Sequence, residues 1–267
     1  MGGKVQIWGI LNVTPDSFSD GFPGASADDF VAKGLRLADD GADVIDVGGE
    51  STRPGAKAIS VSEELDRVIP VIEALRKNCS SKISIDTTKA EVAEAALGAG
   101  ASIVNDINGM RDDGGAMASA AAKFCARVVA MHRRKCFDAT DIIPDIKALW
   151  GESLGAAKAA SLASEFVILD PGFGVGFCKA PEQNLSMLKR LGELREAFPG
   201  NEILIGLSRK SFLGAFGDEG DPASRDHLSA AAAMWAAAIG AVDHVRVHDV
   251  KLSKRLVAFG EAIRGAR

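Results

Sequence analysis

The sequence predicts an α/β protein, a single (β/α)8 barrel with long loops after strands one and two. Three features carry that expectation. Short Val- and Ile-rich runs alternate with segments of helical periodicity along the whole chain. The runs are too continuously apolar for a sheet with one wet face. A Gly-Ala pair recurs at the entry to strands. At 267 residues the chain is near the upper size of one hydrophobic core, so residues 1–267 are read as one domain.

Strand one, Val5 to Leu11, opens into a long loop whose Pro15 and Gly21 block a helix before the periodic run Ala27 to Asp39. Strand two, Asp43 to Val47, runs into a second polar loop, Gly48 to Gly55, and then a helix over Glu63 to Lys77. The next units pair Lys82 to Asp86 with Lys89 to Leu97, Ser102 to Asn105 with Ala116 to Lys123, and Arg127 to Met131 with Ile146 to Leu162. The last three pair Phe166 to Asp170 with Pro181 to Ala197, Glu202 to Leu207 with Ala223 to Ile239, and Asp243 to Val247 with Leu252 to Ile263. Eight such units in this length suit a closed barrel of the TIM type; a doubly wound sheet with extra strands is the rival. The entries Asp40-Gly41-Ala42-Asp43, Ala99-Gly100-Ala101-Ser102 and Ile239-Gly240-Ala241-Val242-Asp243 favour equivalent turns around a ring, although shared turn chemistry alone would also produce them.

Composition removes whole classes of function. Hydrophobic residues at 47% and charged residues at 25% exclude disordered and collagen-like chains. A net charge of -5 argues against a nucleic-acid surface, which needs a basic stripe. The longest uncharged apolar stretch, Ser229 to Val242, falls short of the ~18 residues that a membrane span needs, so no membrane partner is expected. No cationic segment followed by an apolar one opens the chain, which makes the cytoplasm the expected compartment. Cys79, Cys125, Cys136 and Cys178 are widely spaced and suggest neither a disulfide framework nor a zinc site.

In a barrel the active site stands at the carboxyl ends of the strands. The strand ends here deliver Asn12, Gly48-Gly49-Glu50-Ser51-Thr52-Arg53, Asp86, Asn105-Asp106, Met131-His132, Asp170, Ser208-Arg209-Lys210-Ser211 and Arg246-Val247-His248. Taken singly, Asp86 or Asp170 is equally a helix cap, and a lone cation at a strand end is most often a solvated rim residue. Arg53, Lys210, Arg246 and His248 converging on one mouth of a net acidic chain point to a bound anion. His132, His227 and His244 have no metal-site spacing. Gly172-Phe173-Gly174-Val175-Gly176 lacks the last glycine of a dinucleotide fingerprint, since Phe177 follows. Asp86, Asn105 and Asp170 together offer donors and acceptors suited to a flat nitrogen heterocycle, and Arg with His suits pyrophosphate. Substitution at a carbon carrying a pyrophosphate leaving group fits both.

The stretches Asn12 to Asp20, Gly49 to Gly55, Ser84-Ile85-Asp86-Thr87, Asn105-Asp106, Asp170-Pro171-Gly172, Ser208 to Ser211 and Arg246 to Asp249 resemble the signature motifs of the dihydropteroate synthases, in that family's order. The resemblance implies a (β/α)8 fold, a homodimer and a transferase of folate biosynthesis. The implied reaction joins 6-hydroxymethyl-7,8-dihydropterin pyrophosphate to p-aminobenzoate with Mg2+, giving 7,8-dihydropteroate and pyrophosphate. It further implies that Asp86, Asn105, Met131, Asp170 and Lys210 hold the pterin, and that Asn12, Arg246 and His248 hold pyrophosphate, Asn12 with the metal. Phe18, Thr52, Arg53, Phe173 and Ser211 are implied on the p-aminobenzoate side. Lys210, Arg246, His248 and Asp86 are the expected catalytic set. Ser211 is expected to start a helix whose free N–H groups receive the p-aminobenzoate carboxylate.

Two departures stand out. The loop from Phe173 to Lys179 is two residues longer than the family's, resembling the loop of synthases that confer transferable sulfonamide resistance, yet the chain keeps Thr52-Arg53-Pro54. That insertion reads equally as a filter against sulfonamides and as a harmless surface addition. After Met131-His132 the family's usual run is replaced by Arg133-Arg134-Lys135-Cys136, whose contacts stay unassigned. A pterin-binding module serving a corrinoid methyltransferase is the alternative, and retention of Ser208 to Ser211, Thr52-Arg53 and Arg246 to His248 favours the synthase.

Overall fold

The computed structural model describes residues 3–14, 26–51, 57–134, 141–174, 180–216 and 221–266. Eight parallel strands close into a barrel in sequence order: β1 (Gln6–Asn12), β2 (Val44–Gly48), β3 (Lys82–Asp86), β4 (Ile103–Asp106), β5 (Arg127–Met131), β6 (Val167–Asp170), β7 (Glu202–Ile205) and β8 (His244–Val247). The outer ring is α1 (Ala27–Asp39), α2 (Val61–Asn78), α3 (Ala90–Ala99), α4 (Ala116–Lys123), α5 (Ile143–Ala159), α6 (Pro181–Lys189), α7 (Leu191–Ala197), α8 (Asp226–Ala238) and α9 (Val250–Gly265). The expected (β/α)8 architecture is therefore present, and the open doubly wound sheet is not. None of the described helices is long and apolar enough to cross a membrane.

Side chains alternate across a strand, and this alternation sorts the core into two compartments. Ile45, Val47, Ile83 and Ile85 pack outward against the helices, whereas Trp8, Val44, Ile103, Val129, Ile168 and Leu204 fill the barrel axis. Below that apolar slab, at the start of the strands, Trp8 Nε1 donates to His244 Nδ1 at 3.1 Å. His244 Nε2 meets Glu202 Oε2 at 2.5 Å, and Arg127 Nη2 reaches the same oxygen at 2.5 Å. Since indole is a donor only, the neutral His244 ring carries its proton on Nε2 and donates it to Glu202. The His244 bond is also the main reason that the Glu202 carboxyl is pulled down to about 2. These bonds tie the polar floor of the barrel together at the end opposite the mouth.

The Gly-Ala entries share one geometry. Gly41, Gly100 and Gly240 have φ of 97°, 117° and 69°. In each case the glycine N–H returns to the carbonyl three residues back (Ala38, Leu97, Ala237) and the following alanine N–H to the carbonyl five back (Leu37, Ala96, Ala236). This is the Schellman closure, and it places the chain for the next strand. The same pair of bonds closes α4 and α5, where Cys125 (φ 50°) and Ser161 (φ 60°) occupy the left-handed position. The repeat thus extends beyond its glycine signature.

Several element boundaries differ from expectation. The helix expected over Pro181 to Ala197 is two helices, α6 and α7, broken at Arg190 (φ -105°, ψ 17°). Gly192 weakens the helix just after the break, and the Arg190 guanidinium spans Glu193 and Asp141 there. The segment expected as one helix from Ala223 begins with a 3-10 turn, Pro222–Arg225, capped by Asp221. Strand six begins at Val167 because Phe166 closes a 3-10 turn, and strand seven stops at Ile205.

L-residues at left-handed positions cost roughly 1–2 kcal/mol. Cys125→Gly and Ser161→Gly should therefore each raise unfolding stability by about 1 kcal/mol, read as a higher urea midpoint at constant slope. Gly100→Ala should lower it, because a Cβ there would also stand 2.9 Å from Arg76 Cγ. Lower midpoints for both glycine variants would contradict the shared-turn account.

Candidate active site

The polar layer above the apolar slab is built by residues that the strand alternation turns inward at the carboxyl ends. Parallel register places Gly48 beside Asp86, Asp86 beside Asn105, and Met131 beside Asp170. Arg246 of β8 reaches across the mouth, Nε donating to Asp46 Oδ2 at 2.5 Å and Nη2 to Asp86 Oδ2 at 2.6 Å. Asn105 Nδ2 donates to the same Asp46 oxygen at 3.0 Å. Three buried oxygens in this layer, Asp46 Oδ1, Asp86 Oδ1 and Ser84 Oγ, have no hydrogen-bond partner among the described residues. A buried acceptor left unpaired costs about 1–3 kcal/mol, more when charged. Such a cost is recovered when a ligand brings N–H groups to it.

The electrostatics follow from burial and these neighbours. Burial pushes the Asp86 carboxyl up to about 7, with Asp46 and Glu64 adding to the rise and Arg246 opposing it. Burial and Arg246 pull Lys210 down to about 8, against the pull of Asp170 and Asp86. Burial also works against the charge on Arg246, but Asp46 and Asp86 outweigh it and its pKa is raised. Burial, Arg209 and Arg246 hold His248 well below the ordinary histidine value. At neutral pH Arg246 and Lys210 are therefore cations and His248 is a neutral imidazole.

Two tight turns bring the remaining groups in. After β6, Gly172 (φ 67°) donates to Asp170 Oδ1 at 2.7 Å, and a Cβ on it would lie 2.3 Å from the His132 carbonyl oxygen. Gly174 (φ 129°) donates to Asn184 Oδ1 at 2.7 Å and lies against the Lys210 side chain. After β7, Arg209 adopts φ 60°, which is costly for an L-residue. It is held by both oxygens of Asp226, by Ser229 Oγ on its N–H and by Arg225 on its carbonyl. That strained residue turns the chain so that Lys210 and Ser208 flank the mouth.

The expectations for Ser211 and Phe173 need closer statement. Ser211 is exposed but begins a six-residue 3-10 turn, Ser211–Phe216, so the expected α-helix N-terminus is corrected. Lys210 N–H bonds Leu207 O and Leu213 N–H bonds Lys210 O, which closes the first turn in 3-10 geometry. Phe173 is 1% exposed and stacks on Phe212 with centroids 6.3 Å apart, which makes it part of the wall. Phe18, Thr52 and Arg53 lie outside the described residues, as do Phe177 to Lys179.

Sequence reasoning missed Asp46 and the cluster behind it. The signal was present: a carboxylate interrupts the apolar run Val44-Ile45-Asp46-Val47, and Asp46 is fully buried. Lys89 bridges Glu50 at 2.8 Å and the wholly buried Glu64 at 2.6 Å. Glu50 also accepts the Ile59 N–H, and Arg67 donates to the Gly49 carbonyl, so both ends of the second loop are anchored. Of the unassigned residues after β5, Arg133 and Arg134 now have partners, while Lys135 and Cys136 lie outside the described residues. His132 Nε2 and Arg134 both meet Asp145 of α5, while Arg133 donates to Asn108.

A family model for pterin binding enzymes matches residues 8–248. The dihydropteroate synthase of Bacillus subtilis is 43% identical over 262 residues, covering 97% of this chain and 89% of that protein. The crystal structure of a dihydropteroate synthase from Clostridium difficile in the presence of pteroic acid superposes with a TM-score of 0.90 at 43% identity, covering 98% of this chain and 97% of that one. The Xanthomonas albilineans enzyme in complex with 7,8-dihydropteroate superposes with a TM-score of 0.88 at 36% identity, covering 99% and 95%.

Asn at position 46 keeps the shape of the aspartate and removes the charge that Arg246 faces. Asp46→Asn should lower unfolding stability by about 2–3 kcal/mol, because Arg246 then relies on Asp86 alone. Equilibrium urea unfolding checks this, and an unchanged midpoint would contradict it.

Proposed function

The chain belongs to the dihydropteroate synthases, transferases of folate biosynthesis within the family of pterin binding enzymes, and from that premise we propose how its barrel mouth performs the condensation. The observation that carries the reading is the pair of unpaired carboxylate oxygens, Asp86 Oδ1 and Asp46 Oδ1, beside a buried, doubly bonded Arg246. Asp86 and Asp170 accept from the amino and ring N–H donors of the pterin. Asn105 and Lys210 complete its polar edge, and Met131, 5% exposed, packs on its face. Arg246 and His248 take the pyrophosphate end. The family resemblance assigns Phe18, Thr52, Arg53 and Ser211 to p-aminobenzoate, and Phe173 stands in the wall on Phe212.

The chemistry needs no protein nucleophile. The C–O bond from the pterin methylene to pyrophosphate breaks first, with its electron pair leaving on pyrophosphate. The positive charge left on the methylene spreads into the electron-rich ring. The aniline nitrogen of p-aminobenzoate attacks the same carbon and then loses a proton to solvent or the departed pyrophosphate. Asp86 stabilises that cation by proximity, while Arg246, Lys210 and His248 stabilise the departing anion.

Mg2+ fits the donor set. A Cβ on Gly48 would stand 3.5 Å from Asp86 Cβ, 3.8 Å from Asp86 Oδ2 and 3.9 Å from Asn12 Oδ1, so two side-chain oxygens lie beside the glycine. Magnesium characteristically takes one or two protein oxygens together with phosphate oxygens and water. Asn12 would hold the ion, which would supply positive charge to the leaving pyrophosphate.

A homodimer is supported by the outer face of α8 and α9. Trp235 and Ile239 on one helix and Phe259 and Ile263 on the other are each between 41% and 57% exposed. The two helices pack closely at Gly260, where a Cβ would meet the Met234 carbonyl oxygen at 2.5 Å. An apolar patch of this kind marks an association surface. The barrel closing on itself supports one domain over residues 1–267, and the cytoplasm is the compartment where folate synthesis would place it.

Turnover with pterin pyrophosphate, p-aminobenzoate and Mg2+, followed by pyrophosphate release, tests the reading. Asp170→Asn should lower kcat/KM by roughly tenfold to a hundredfold or more, since it leaves pterin donors unpaired at about 1–3 kcal/mol. No release by the wild type, or near-normal release by a folded Asp170→Asn variant, would overturn the assignment.

A further inference from the structure

The loop after β7 and the end of β8 meet in a small reciprocal contact. Ser208 Oγ lies 2.9 Å from His248 Nδ1, and the His248 backbone N–H donates to the same hydroxyl oxygen at 3.1 Å. Ser208 is 7% exposed, so its hydroxyl proton needs a protein acceptor. Among the described residues the hydroxyl has no acceptor other than Nδ1. The oxygen thus receives the backbone N–H and gives its own proton to the ring. An Nδ1–H ring would instead point a proton at the hydroxyl and leave the serine proton buried without a partner.

We infer that Ser208 is a positioning residue that fixes His248 as the neutral Nε2–H tautomer, so that the ring offers a hydrogen-bond donor to the leaving pyrophosphate. This rests on the placement of His248 at the pyrophosphate end. Nε2 has no partner among the described residues, so the donor is not spent within the fold. The charge environment agrees, because burial and the nearby Arg209, Arg246, Lys33 and Lys210 all oppose an imidazolium. An acceptor nitrogen facing phosphate oxygens would repel them, whereas a fixed donor adds a bond without the cost of burying another cation. The serine acts through the histidine and touches no substrate.

Two readouts separate this from a merely structural role. Ring-nitrogen chemical shifts of labelled histidine, with the His248 signals identified by their loss in His248→Gln, report the tautomer directly. Wild-type protein at neutral pH should show a protonated Nε2 and a bare Nδ1, with Ser208→Thr the same and Ser208→Ala a mixture. Calorimetric titration with pyrophosphate and Mg2+ should give about tenfold weaker binding for Ser208→Ala, about 1.4 kcal/mol, and near wild-type binding for Ser208→Thr. A wild-type ring protonated on Nδ1, or on both nitrogens, would overturn the inference even if no Ser208 variant folds. A tautomer switch in Ser208→Ala with unchanged pyrophosphate affinity would overturn it as well. Wild-type protein that has the Nε2–H ring but does not bind pyrophosphate would instead refute the placement of His248 on which the inference rests.

Discussion

The Arg246 guanidinium shared between Asp46 and Asp86 is the constraint around which the mouth of the barrel is arranged. A cation and two carboxylates in a largely buried layer are costly to desolvate, and such a layer persists only when its members satisfy one another. Here Arg246 supplies one donor to each aspartate and Asn105 supplies a second to Asp46. The layer rests on the apolar slab of Trp8, Val44, Ile103, Val129, Ile168 and Leu204, which gives it a dry base. Its incompleteness is as informative as its bonds, because one oxygen of each aspartate remains unpaired. A structure that served stability alone would gain by closing those positions with apolar groups.

The same arrangement divides labour between the two substrate ends. Carboxylates cluster toward β2, β3 and β6, where a heterocycle with N–H edges and developing positive charge is best received. Cations and the neutral imidazole come from the β7 and β8 side, which the proposed reading gives to the departing anion. Lys210, held down to about 8 by burial and Arg246, is a cation that is not far from losing its proton, whereas Arg246 is locked in its charged form by its two aspartates. The strained Arg209, pinned by Asp226, Ser229 and Arg225, keeps that second side in place. In the proposed reading, rigid strand ends would set the pterin edge and the turns would fix the anion side.

Much of this was legible in the sequence because strand ends and alternation leave a direct record. Asp86, Asn105, Asp170, Lys210, Arg246 and His248 all follow apolar runs, and the barrel brings those ends to one mouth. Gly41, Gly100 and Gly240 announced their turns, while Cys125 and Ser161 adopt the same turn without the glycine that reveals it. Asp46 escaped because a charge inside a strand reads as a flaw in the pattern until the barrel shows which way it points. The helix expected at Ser211 does begin there, but as a 3-10 turn. A serine after a strand is a good cap, but short-range bonds from Leu213 to Lys210 and the packing of Phe212 on Phe173 favour a tighter turn. Lys89 with Glu64 and Glu50 was invisible because its members are far apart in sequence and meet only when the ends of β2 and β3 come together beside α2.

The central claim is that the polar layer is formed by the barrel before any ligand arrives. Crystal structures of the protein without ligand and with a bound pterin test it most directly, through the position of one side chain. The account predicts that the Arg246 guanidinium stays within hydrogen-bond distance of both Asp46 and Asp86 in the two states, while Asp86 Oδ1 gains a pterin N–H. A guanidinium that leaves both aspartates in either state would contradict it.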